Sequence, residues 1–172
     1  MAVKKIIFWT MTALLLFASA AAAEEKKSAA GASLESCLGD GTFDARAAQN
    51  FGADRSGMRK YVMAFLKRGP NRPTDPKKAE ELQAAHLKNI ERMAAEGKLV
   101  LAGPFMEDGE LRGIYVFSVA SLAEAEALTN TDPAVKAGSL VMELKEWYGS
   151  AALMAVNAIH KRLSQAAPAE SR

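Results

Sequence analysis

The chain has 172 residues, 49% hydrophobic and 24% charged, which suits one globular domain and leaves little room for a second. Two of its 22 basic residues, Lys4 and Lys5, stand in an N-terminal leader without acids, so the remainder balances 20 basic against 20 acidic residues. That neutrality offers no long-range attraction to nucleic acid or to an anionic membrane surface, and both partners are set aside.

The leader has three parts. Lys4-Lys5 is a positive start, Ile6 to Phe17 is an apolar run broken by two threonines, and Ala18 to Ala23 is small-residue sequence. This pattern predicts a secretory signal peptide over residues 1–23, and therefore a periplasmic or secreted protein that leaves the membrane after cleavage. An uncleaved anchor is the alternative, against which the apolar run is short. Cys37 is the chain's one cysteine, so no internal disulfide can form. Residues 24–57 lack periodicity and read as a flexible preface with one helical turn near Ala45 to Gln49.

Regular structure is expected over residues 58–148. Arg59 to Lys67 alternates as a strand, with Tyr61, Met63 and Phe65 on one face and Val62, Ala64 and Leu66 on the other. Gly69-Pro70 ends it. Asp75-Pro76 opens a helix as N-cap and first residue, and Gly97 closes it. Its apolar stripe is Ala79, Leu82, His86, Ile90 and Met93. Leu99 to Phe105 is a second strand, Asp108-Gly109 signals a hairpin, and Arg112 to Val119 is a third strand. Ser121 and Glu124 form a capping box for a second helix ending near Thr129. Asp132-Pro133 opens a short helix that Gly138 closes, and Ser139 to Trp147 is the fourth strand. Residues 149–172 read as a terminal helix, Ala151 to Ser164, followed by a disordered tail.

The order β-α-β-β-α-β predicts an α+β fold: a ferredoxin-like antiparallel sandwich with two helices on one face and an added C-terminal helix. The first and third strands are central and apolar on both sides, so the face without helices needs a cover. A second copy packed sheet to sheet is the simplest one, which predicts a homodimer. The terminal helix folding back is the competing cover.

The segment from Arg59 to about Tyr148 resembles the YciI-like (YCII-related) domain family. The resemblance rests on the strand Tyr61–Leu66, His86, the run Gly97 to Phe105, Arg112-Gly113-Ile114, and the run Thr131 to Gly138. It implies a ferredoxin-like fold in a dimeric α+β barrel. It also implies an active site built on a histidine and an aspartate, which fall on His86 and Asp132. A dehydrochlorinase of chlorinated hydroxyquinols belongs to that family.

His86 occupies a stripe position where leucine would be ordinary. A buried imidazole needs a hydrogen-bond partner, and a carboxylate partner would make it a competent acid or base. A satisfied core histidine is the plainer reading. Asp132 is accounted for as an N-cap, yet its second oxygen can still face a histidine. Lys67, Arg68 and Arg72 surround Gly69-Pro70 and could hold an anionic group. Gly103-Pro104 could let a ligand approach the backbone. Trp147 and Tyr148 suit core or dimer contacts, and His160 suits the surface. The sequence has no metal-ligand cluster, phosphate loop or Ser-His-Asp signature, and so asks for no cofactor. Two functions remain open. One is a cofactor-independent lyase or isomerase acting on a small cyclic or aromatic molecule through His86 and Asp132. The other is a non-catalytic module of the cell envelope that binds a small ligand or partner.

Overall fold

The computed structural model of the chain describes residues 41–165; the expected signal peptide, Cys37 and the expected disordered tail lie outside them. Residues 45–165 belong to one unit. Its elements are α1 (Ala45–Asn50), β1 (Met58–Arg68), α2 (Pro76–Ala95), β2 (Leu99–Pro104), β3 (Leu111–Phe117), α3 (Leu122–Thr129), α4 (Pro133–Lys136) and β4 (Leu140–Ser150). A 3-10 turn (Ala151–Ala155) and α5 (Val156–Leu163) complete it.

The strands form one antiparallel sheet in the order β2-β3-β1-β4, so β1 and β3 are central, as the ferredoxin-like reading requires. The helix caps work as their residues dictate. Asp75 accepts from the backbone N–H groups of Lys77 and Lys78, and Ser121 accepts from that of Glu124. Glu124 reaches back to the N–H of Ala120, one residue before the cap.

Period-two alternation gives each face of the sheet its own cluster. Val62, Ala64 and Leu66 of β1 join Leu99, Tyr115 and Phe117 beneath the helices, with Met93 of α2 and Ala125 of α3 above them. Tyr61, Val100 and Val116 cluster on the opposite face, against Met63, Leu101, Leu153 and Met154. The terminal segment therefore folds back, but it covers only one end of that face. Phe65 and Ile114 stay half-buried, and Val141 is exposed.

Two bulges interrupt the alternation. Leu99 pairs with Phe117 and Leu101 with Val116, so Val100 is an extra residue and joins Leu101 on the face without helices. Leu66 pairs with Gly113 and Lys67 with Leu111, which leaves Arg112 as the extra residue on β3.

Within the stretch read as a flexible preface, the last residues are tied to the sheet. Arg59 Nη1 donates to the Phe51 carbonyl at 2.7 Å, the Tyr148 hydroxyl donates to Asp54, and the Ala151 N–H donates to Gly57. The β2–β3 connection runs over residues 105–110, and Gly109 has no positive φ, so the hairpin is not closed by a two-residue Asp-Gly turn. Asp108 acts through its side chain instead, pairing with both Arg68 and Arg112.

Candidate active site

The stripe of α2 turns Leu82, His86, Ile90 and Met93 toward the sheet and its cavity, with two departures at its margins. Ala79 is exposed, whereas Asn89, absent from the expected stripe, is buried along with His86 and Met93. His86 is 8% exposed and faces the start of α4, where Asp132 is fully buried at 0%.

Asp132 has two tasks at once. Its Oδ1 accepts from the Ala134 N–H at 2.8 Å, which caps α4. Its Oδ2 lies 2.8 Å from His86 Nδ1, and its Oδ1 lies 3.0 Å from the same nitrogen. A carboxylate facing Nδ1 holds the ring proton there and leaves Nε2 as the acceptor of a neutral imidazole. The N-cap reading and the histidine-partner reading of Asp132 are thus both correct in geometry.

Tyr115 is the third member. From the centre of β3 its hydroxyl lies 3.3 Å from His86 Nε2 and 3.4 Å from Asp132 Oδ2. Burial, and then the neighbouring Asp132 carboxylate, hold its phenol far above the ordinary value. Tyr115 is therefore a proton-bearing donor and not a phenolate base. The sequence marks it only as one apolar residue of an alternating strand. The available signal is that a buried tyrosine hydroxyl needs a partner, and that its strand faces the histidine helix.

A second set of polar groups clamps the turn that carries Asp132. Arg92 Nη2 donates to Asn89 Oδ1 at 3.0 Å and to Thr131 Oγ1 at 2.9 Å, and the Thr131 hydroxyl reaches Asn89 Oδ1 at 3.1 Å. This ties the middle of α2 to the residue preceding Asp132.

The His86 and Tyr115 side chains open onto a cavity of about 450 Å³ between α2 and the sheet. Leu66, Leu82, Ile90 and Leu140 supply apolar walls, and Arg72 and Arg112 are its charged lining residues. Gly103 and Pro104 line it too. Lys67 does not. It follows Leu66 on β1 and so points through the other face, where it pairs with Glu143 at 2.5 Å. Arg68 pairs with Asp108 at the hairpin. Trp147 packs on Tyr61, and His160 is exposed.

Residues 61–148, half of the chain, match the sequence profile of the YCII-related domain. The chain belongs to the YCII-related domain family. This YCII-related domain is similar to YjpA of Bacillus subtilis (strain 168), an uncharacterized protein, at 37% identity over 68 residues. That match spans 40% of this chain and 78% of YjpA. Among solved structures it is similar to 5-chloro-2-hydroxyhydroquinone dehydrochlorinase (TftG) from Burkholderia phenoliruptrix AC1100, in complex with 2,5-dihydroxybenzoquinone. The identity there is 21%, the TM-score 0.39, and the match covers 50% of this chain and 92% of the other.

Proposed function

We propose that this YCII-related domain is an acid–base enzyme of the lyase or isomerase type, acting on a small cyclic or aromatic molecule without help from a cofactor. One observation carries the reading: a histidine held at Nδ1 by a fully buried carboxylate lines a cavity of about 450 Å³. That size is within the range of small-molecule sites, and its walls suit a ring.

His86 Nε2 takes a proton from a carbon of the substrate. In an elimination, the freed electron pair forms a double bond and expels a leaving group from the neighbouring carbon. In an isomerisation, the same proton returns elsewhere on the skeleton. Asp132 orients the ring and offsets the charge of the imidazolium while it carries the proton. Tyr115 turns its single O–H from Asp132 toward negative charge that develops near it.

The test begins with a thermal-shift screen of the purified protein against small phenols, lactones and carboxylic acids. Each hit is then incubated in deuterated water and followed by NMR for elimination, isomerisation or deuterium uptake. His86→Gln is expected to keep the fold, seen by circular dichroism, and to lose the chemistry by about a hundredfold or more. Turnover that survives in that variant overturns the proposal.

The half-buried Phe65 and Ile114 and the exposed Val141 favour a second proposal, that two copies pair across the face without helices. Sedimentation is expected to give twice the protomer mass, with Phe65→Glu shifting it to one. A wild-type protein that sediments as a monomer at micromolar concentration overturns it.

A further inference from the structure

We infer that the cavity beside His86 takes a small organic anion, of about one ring in size, whose carboxylate pairs with Arg72. The inference rests on the cavity being the substrate site and names the class of molecule that fills it.

Three observations carry it. The first is the charge of the lining. Among the described residues, Arg72 and Arg112 are the charged groups at the wall besides the titratable His86, and no carboxylate lines the cavity. Asp132, the nearest acid, is fully buried and already accepts from His86, Ala134 and Tyr115. An apolar cavity whose fixed charges are both positive selects against cations and favours an anion.

The second observation is how Arg72 is placed. An arginine on an exposed loop is ordinarily solvated, but this loop is clamped. The Gly69 N–H donates to Ser139 at 2.9 Å, and the Asn71 N–H donates to Gly138 at 3.0 Å. The approach is so close that a Cβ on Gly69 would meet the Gly138 carbonyl at 2.2 Å. Gly138 itself has a φ of 70°, which a side chain would strain. Both glycines thus hold the loop against the turn at Gly138-Ser139 that leads into β4, and Arg72 follows directly. Its guanidinium has no ion pair or hydrogen bond among the described residues, so its donors are free for a ligand.

The third observation is the bulge at Arg112. Strict alternation would send Arg112 to the face opposite Gly113. As the extra residue it lines the cavity alongside Gly113. A bulge beside a site that re-aims one side chain is a device with a use. Arg112 Nη1 is fixed by Asp108 at 2.8 Å, so it is a steadier and partly neutralised charge, and Arg72 is the one that pairs with the anion.

The experiment uses benzoate and benzamide, which share shape and differ in charge, titrated by calorimetry into the full protein, Arg72→Gln and His86→Gln. Benzoate is expected to bind more tightly than benzamide, with an affinity that falls as salt rises. Arg72→Gln should weaken benzoate on the order of tenfold and leave benzamide unchanged. His86→Gln should retain the preference for benzoate, because that variant tests proton transfer and not anion binding. Equal affinity for the two probes overturns the inference, as does benzoate binding that Arg72→Gln leaves intact, or no benzoate binding at millimolar concentration. Loss of the acid–base reading shows separately, as turnover that persists without His86.

Discussion

The two faces of one sheet each carry a short polar pair, and the pairs have opposite fates. Beneath the helices, His86 and Asp132 meet at 2.8 Å with side chains 10% and 0% exposed. On the other face, Lys67 and Glu143 meet at 2.5 Å with side chains 38% and 39% exposed, and Lys145 joins Glu143 at 2.9 Å. The two lysines pull the Glu143 carboxyl down to about 2. Distance alone would rank the exposed group first. Water reverses the ranking, because it screens the exposed charges and would solvate each of them if separated. In the dry pair, no solvent replaces a missing partner. Leu66 and Lys67 are neighbours in the chain, yet one lines the cavity and the other faces away from it.

Removing one partner from each pair breaks that comparison most directly. Asp132→Ala deletes the histidine's partner and the cap of α4 together, and is expected to cost about 3 kcal/mol of unfolding free energy. Lys67→Ala is expected to leave the urea midpoint indistinguishable from wild type. Urea denaturation of both variants checks the contrast. An Asp132→Ala variant as stable as Lys67→Ala would mean that the buried pair contributes no more than a surface contact.

The same contrast explains what the sequence disclosed. The order of elements was legible because Gly69-Pro70, Asp75-Pro76, Gly97 and Asp132-Pro133 punctuate it with residues whose backbone chemistry leaves few choices. His86 was legible as a polar residue in an apolar stripe, and Asp132 as a cap. Alternation along β1 would also have assigned Lys67 to the face away from Leu66, but its nearness to the Gly69-Pro70 loop suggested a ligand contact. Arg112 was out of reach for a different reason. A bulge needs no signature residue, so parity alone gives the wrong face. Tyr115 was placed on a central strand, but its two hydrogen-bond partners come from α2 and the cap of α4, and only the fold brings them together.

Tyr115 offers a smaller test of how dry the helix-facing side is. Its burial and the Asp132 carboxylate both oppose the phenolate, so the folded protein keeps this proton well above the pH at which an unfolded tyrosine, near about 10, releases it. Above that pH the folded state binds more protons than the unfolded state, and stability falls as pH rises. Below it both states are protonated and the group contributes no slope. One such group gives at most about 1.4 kcal/mol per pH unit. Urea denaturation from about pH 9 to about pH 11 is expected to show a wild-type slope steeper than that of Tyr115→Phe by up to this amount. Tyr61, raised chiefly by burial, and Tyr148, raised chiefly by its hydrogen bond to Asp54, leave the variant a residual slope of the same sign. Parallel slopes would place Tyr115 in contact with water, and the cavity floor with it, so that His86 and Asp132 would meet in a far wetter site than their burial describes.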